Sequence, residues 1–142
     1  MEDITGTVRS NIPVARETFV LSVDCDLPAS TPGQFVMMKI AYGYEPFLRR
    51  PFAILSNRGQ SLEILYKIKG RGTRMLSEKK PGDAVSLLGP LGRGFSAPDE
   101  RSQVVYVAGG TGLPPVLSLA EYIRQGILIF GAQSKNHIPL LE

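Results

Sequence analysis

The 142-residue chain has one cysteine, one histidine and no tryptophan. A lone Cys25 cannot close an internal disulfide, and Cys25 and His137 together cannot supply the four N or S ligands of a structural zinc site or hold an iron–sulfur cluster. Cys25 reads as a free thiol near the end of a strand and His137 as a surface residue. A nucleophilic pair built on either would need partners that nothing in the sequence places nearby. No apolar run approaches the roughly 20 residues of a membrane-spanning helix. The opening Met1-Glu2-Asp3-Ile4 carries acids where a signal peptide carries positive charge, and no apolar segment follows it, so a cytoplasmic protein without membrane association is expected. The net charge of +3 is mild, and the cations are scattered except for Lys67, Lys69, Arg71 and Arg74. No long basic stripe with interleaved aromatics marks a nucleic-acid surface, and small anionic ligands suit the chain better.

What is present is a globular composition, 43% hydrophobic, of a size that fits one domain or one domain with part of another. Up to about residue 96 the pattern is of short β runs between turn formers, as in a barrel or sandwich. Strands are predicted over 4–10, 18–24, 35–41, 49–56, 62–69 and 84–88, punctuated by Pro32-Gly33, Tyr42-Gly43, Asn57-Arg58-Gly59 and Pro81-Gly82-Asp83. Alternation along 62–69 puts Leu62, Ile64, Tyr66 and Ile68 on one face. A short helix is predicted over 72–79, with Thr73 as N-cap. From residue 102 the grammar changes to β-α-β: strand 103–108, helix 114–125 stopped by Gly126, and strand 127–131. The continuous run Ile127-Leu128-Ile129-Phe130 suits a strand covered on both faces. Two parallel strands and one helix cannot finish a sheet, so either a truncated chain or a unit completed by a partner is expected.

Four segments carry chemistry. In Arg49-Arg50-Pro51-Phe52-Ala53, successive side chains point to opposite faces, so Arg50 and Phe52 can serve one ligand while Arg49 cannot join them. Arginine beside an aromatic ring suits a flavin nucleotide, through charge-assisted bonds to phosphate and ring stacking. An ion pair of the arginine with Glu45 beside a core phenylalanine fits the same residues. Gly70-Arg71-Gly72-Thr73 ends a strand and opens the short helix, offering backbone N–H groups and a hydroxyl to phosphate or forming a plain turn. Gly89-Pro90-Leu91-Gly92-Arg93-Gly94-Phe95 suits a linker on which a ligand can lie. Tyr106-Val-Ala-Gly109-Gly110-Thr111-Gly112-Leu-Pro-Pro runs from strand through glycine turn to helix, the arrangement that brings backbone N–H groups to an anionic ligand, though a tight turn alone uses the same residues.

The order and spacing of these segments, with Pro32-Gly33-Gln34-Phe35-Val36 ahead of them, resembles the ferredoxin–NADP reductase superfamily. Within it the chain looks most like the electron-transfer subunits of two-subunit, NAD-linked dihydroorotate dehydrogenases. The resemblance covers nearly the whole sequence. It implies a six-stranded antiparallel Greek-key flavin-binding barrel with one short helix over residues 1–98, followed over 99–142 by the first β-α-β of a parallel-sheet nucleotide-binding domain. It implies FAD as cofactor, with Arg50 on the phosphates, Pro51, Phe52 and Ala53 near the flavin, Leu65, Tyr66 and Lys67 flanking the ribityl or adenosine portion, and Gly70, Gly72 and Thr73 at the pyrophosphate. Gly109, Gly110, Thr111 and Gly112 would face NAD(P)H. The implied partner is a catalytic oxidoreductase subunit, an FMN-containing dihydroorotate dehydrogenase of pyrimidine biosynthesis. Flavin subunits of hydrogenase, sulfide dehydrogenase or transhydrogenase complexes share the barrel motifs, and a non-catalytic assembly module is a further alternative.

Three departures from the family pattern matter. Ala53 stands where the family has Ser or Thr, and a methyl cannot donate to the flavin. The cysteine-rich segment for a [2Fe–2S] cluster is absent from this sequence, and the nucleotide-binding pattern stops after its second strand. No catalytic acid or base is expected, because nicotinamide and flavin carry the redox chemistry themselves.

Overall fold

A computed structural model of the chain describes residues 3–41, 47–99 and 103–139. Six strands form its larger part: β1 (Ile4–Ala15), β2 (Thr18–Asp24), β3 (Phe35–Lys39), β4 (Arg50–Asn57), β5 (Ser61–Lys67) and β6 (Ala84–Leu91), with helix α1 (Arg71–Ser77) between the last two. They close into a barrel in the order β1-β2-β5-β4-β3-β6, every neighbour antiparallel. Closure leaves no free edge, and period-2 alternation sends one set of side chains inward. On β5 that set is Leu62, Ile64 and Tyr66, all essentially inaccessible and joined in the core by Val8, Leu21, Val36, Met38, Ile54 and Leu87. The expected barrel is therefore present. Its Tyr42-Gly43 turn and Glu45 lie outside the described residues.

Most boundaries shift by one to three residues from the sequence pattern, and two of the differences have a clear physical reason. β1 runs five residues past the predicted Ser10, because register shifts at Val8/Ser10 and Pro13/Ala15 let it stay paired with β2 despite Pro13. α1 starts one residue early, and its N-cap is Gly70 rather than Thr73. Thr73 sits three residues further on, where its hydroxyl accepts from the Lys69 and Gly70 N–H groups at 2.9 and 3.1 Å. The hydroxyl thus reaches back to the cap instead of forming it.

The remainder is β7 (Val105–Gly109), a 3-10 turn over Gly110–Gly112, helix α2 (Leu113–Ile123) and β8 (Ile127–Gly131), with β7 and β8 paired in parallel. α2 ends on Arg124 in the left-handed conformation, two residues before the expected stop at Gly126. One face of this small sheet carries Tyr106, which is 5% exposed and donates its hydroxyl to the Gln125 carbonyl at 3.0 Å. α2 also contacts β4, the 3-10 turn contacts β5, and the Arg16 N–H donates to the Asn136 carbonyl at 2.8 Å, so the two parts of the chain touch at several places.

The other face of the sheet is open. Val105, Val107, Ile127 and Ile129 project from it and are all more than half exposed, and Leu128 on the opposite face is partly exposed too. The expectation that the 127–130 run is covered on both faces is thus not met. The run is apolar enough for a sandwiched strand, but only α2 packs on this sheet among the described residues. A contiguous apolar patch of this kind promotes association. Val107→Lys with Ile129→Lys should therefore shift the isolated chain toward monomer in sedimentation velocity. The same pair should change the unfolding free energy, read from a urea titration, by no more than about 0.5 kcal/mol, the usual range for surface changes.

Candidate functional site

The site grows from β4, where adjacent arginines are sent to opposite sides. The Arg49 guanidinium turns toward β6, donating to the Ser86 carbonyl at 3.2 Å, to Ser86 Oγ at 3.1 Å and to Asp3 Oδ2 at 2.5 Å. It is committed to the barrel wall. Arg50 points the other way, donates to the Leu48 carbonyl, and has no carboxylate partner among the described residues. Its guanidinium lies against Gly72 of α1 so closely that a Cβ there would stand 2.6 Å from Nε and 2.9 Å from Cζ. Only glycine leaves room for this contact. It joins the Arg50 and Gly70–Thr73 motifs, twenty residues apart in sequence, at one place.

Phe52 sits on the Arg50 side of β4 but turns inward. It is 8% exposed, and its ring meets Tyr66 edge-on with centroids 6.0 Å apart. It belongs to the barrel core and offers a ligand little more than an edge. Pro51 is exposed and Ala53 half-buried beside it, paired with Met37 and Phe35 of β3. On β5, Tyr66 is 1% exposed, stacked on Phe19 at 5.6 Å, with its hydroxyl donated to Asn11 Oδ1 at 2.9 Å. The Tyr66 side chain therefore cannot flank a ligand outside the barrel, because strand alternation sends it inward. Leu65 and Lys67 face outward, Leu65 being covered and Lys67 half-buried.

Burial pushes the Tyr66 hydroxyl up to about 12, the hydrogen bond to Asn11 opposing the shift in part. A folded-state value above the ordinary 10 stabilises the fold fully below pH 10, and that contribution is lost as pH rises through about 12. Alkaline titration of the unfolding midpoint should show this loss between those values, and Tyr66→Phe should remove it. Burial likewise raises the Cys25 thiol, with Asp24 and Asp26 adding to the effect against a hydrogen bond from the Leu27 backbone. This is an inert, buried thiol.

The glycine turn after β7 opens on a cleft of about 600 Å³, whose lining includes Gly109, Gly110, Thr111, Lys67 and its cross-strand partner Thr18, Lys69, Gln133 and His137. Within the turn only Gly110 is left-handed, at φ +53°. Gly109 and Gly112, at φ −149° and −80°, take conformations open to any residue, so what they offer is an unobstructed backbone. Gly112 caps α2 and is not part of the cleft lining. The fold thus gathers the predicted residues into two groups, Arg50 with Gly72 and Lys67 with Gly109–Thr111. They are linked by the short run from Lys67 through Lys69 and Gly70 to Gly72.

Several lining residues lie outside the predicted site, Lys69, Thr18 and His137 among them. Lys69 was visible as part of a basic cluster. Thr18 and His137 gave no signal: they come from a strand start and from the 3-10 turn Lys135–His137, which only the docking of the two parts brings to one cleft. Ser134 Oγ and His137 Nδ1 stand 2.8 Å apart and orient that ring.

Comparison with known proteins agrees with this geometry. The chain is 35% identical to the electron-transfer subunit of dihydroorotate dehydrogenase B (NAD(+)) of Fusobacterium nucleatum, over 93% of this chain and 55% of that protein. It is 37% identical to the subunit of the same description from Bacillus caldolyticus, over 91% and 54%. The chain thus spans about half the length of these curated relatives. No protein-family model matches it. Among solved structures, an Amycolatopsis cytochrome P450 reductase superposes with a TM-score of 0.85 at 23% identity, covering 99% of this chain and 46% of that one. An NADH-dependent reduced ferredoxin–NADP oxidoreductase superposes with 0.84 at 23% identity, over 96% and 51%. At such identities the likeness establishes the fold.

Proposed function

The chain is related to the electron-transfer subunits of dihydroorotate dehydrogenase B and shares the fold of the ferredoxin–NADP reductases, and on this basis we propose that it holds FAD and passes electrons between NAD(P)H and a partner oxidoreductase. The observation that carries the proposal is the Arg50–Gly72 contact. It leaves a cation without a carboxylate partner among the described residues, beside a bare helix backbone where a Cβ would intrude. These residues fit a dinucleotide's phosphates.

In this assignment Arg50 pairs with phosphate, and the Gly70–Thr73 backbone lies along the pyrophosphate. Thr73 shapes that turn through bonds to Lys69 and Gly70. Pro51, Ala53 and the edge of Phe52 border the flavin ring, and any donor to the ring at Ala53 is a backbone N–H. Leu65 and Tyr66 contribute backbone and Lys67 its ammonium to the ribityl or adenosine portion. Gly109–Gly112 present backbone to NAD(P)H in the lysine-lined cleft.

Bound FAD and nicotinamide supply the hydride and electron chemistry. The protein's own residues neutralise phosphate charge, orient the two dinucleotides and keep water from the ring, so no side chain has to move a proton. The division at residues 98 and 99 separates the FAD-holding part from the nucleotide-facing part. By analogy with the relatives' names, the electrons go to a dihydroorotate dehydrogenase subunit, for which the sequence resemblance implies FMN as the flavin. The cytosol is the matching compartment, where a lone buried thiol stays reduced.

The test is reconstitution with FAD followed by stopped-flow mixing with NADH. A yellow protein whose visible absorbance bleaches supports the proposal, and a chain that takes up no FAD refutes it. Flavin that binds but stays oxidised would favour a non-catalytic assembly module, a reading to which Ala53 and the open β7–β8 face lend specific support.

A further inference from the structure

Asn11 belongs to none of the sequence motifs, yet its amide ties three elements together. Its Oδ1 accepts from the Tyr66 hydroxyl on β5 at 2.9 Å, and its Nδ2 donates to two carbonyls at the end of α1, Leu76 at 2.8 Å and Lys79 at 3.2 Å. Three of the four hydrogen bonds an asparagine side chain can make are in use. No other side chain of this size both accepts and donates in this way; an aspartate would keep the first bond and lose the other two.

The connection continues past Tyr66, whose ring meets Phe52 of β4 edge-on. α1 is therefore tied to β4 at both ends. At its C-terminal end the tie runs through Asn11, Tyr66 and Phe52, and at its N-terminal end through the contact of Gly72 with Arg50. A helix of seven residues is too short to persist on its own. Its buried Leu76 anchors it to the core, but an apolar contact is non-directional and does not fix how far the helix slides along its axis. The two amide bonds do.

We propose that Asn11 is a positioning residue for the phosphate end of the flavin site, holding α1 at the depth where the Gly72 backbone meets the Arg50 guanidinium. This rests on the FAD proposal made for the chain. It places the control of phosphate binding on β1, which contributes no group to the site itself.

The experiment is titration of the purified chain with FAD and, separately, with riboflavin, which has the same ring and ribityl chain but no phosphate, each followed by flavin fluorescence. Asn11→Asp should weaken FAD binding about tenfold, the effect of losing hydrogen bonds worth roughly 1.4 kcal/mol, and leave riboflavin within about twofold. If Asn11→Asp does not fold, Asn11→Ser takes its place in the same comparison. Equal loss of both ligands would reveal a purely structural role and overturn the proposal, as would FAD affinity unchanged within about twofold. Wild-type chain that binds neither ligand would overturn the FAD assignment itself, and with it anything for Asn11 to position.

Discussion

Gly72→Ala is expected to lower FAD affinity by about ten- to a hundredfold while leaving the unfolding midpoint unchanged or slightly raised. The added methyl would stand 2.6 Å from Arg50 Nε, 2.9 Å from Cζ and 3.2 Å from Nη2. All three atoms are at the far end of a flexible side chain, so the fold relieves the clash by swinging the guanidinium aside. Alanine also favours the helix over glycine by up to about 1 kcal/mol, which acts in the stabilising direction. The loss falls on Arg50, whose charge-assisted bonds to phosphate are worth roughly 1.5–3 kcal/mol once it is displaced. Arg50→Ala gives the limit of the effect. Isothermal titration with FAD and a parallel thermal melt measure the two sides. Unchanged affinity with a lowered melting point would show that Gly72 serves the helix and not the ligand.

Gly126→Ala should be the most damaging single methyl in the second part of the chain, costing about 3 kcal/mol or more. Gly126 has φ +115°, a conformation L residues rarely adopt, and its Cβ would meet the Val104 carbonyl oxygen at 2.5 Å and the Tyr106 ring at 2.7 Å. Neither neighbour can yield cheaply. The Val104 carbonyl accepts from Ile127 N–H at 3.1 Å, and the Tyr106 ring is buried with its hydroxyl bonded to Gln125. The contrast with Gly72 is one of relief: a backbone oxygen is fixed where a guanidinium swings. Hydrogen exchange should show protection lost across β7, α2 and β8 before the barrel strands respond. Retained protection there would mean that the turn shifts as a unit and absorbs the methyl.

The strands of the barrel were legible because their signals are local. Alternation over Leu62–Tyr66, turn residues such as Pro81-Gly82-Asp83 and the change of grammar after residue 102 each report on a few neighbouring positions. The separation of Arg49 from Arg50 was legible for the same reason, since opposite facing on a strand is a property of the backbone. Alternation placed Phe52 with Arg50 correctly, but whether the ring stayed open to a ligand depended on Tyr66, fourteen positions away and on another strand.

Local pattern by itself yielded six short strands, the glycine segments and the switch to a β-α-β unit, and the family resemblance added barrel closure, because strands and turns depend on residue type and short-range geometry. Packing settled the rest: Gly72 against Arg50, Asn11 latched to the end of α1, Thr18 and His137 brought to the same cleft, and an apolar 127–130 run left bare. Each is a contact, or a missing one, between segments far apart in sequence. Such contacts form only when closure of the barrel and the docking of α2 fix where those segments meet.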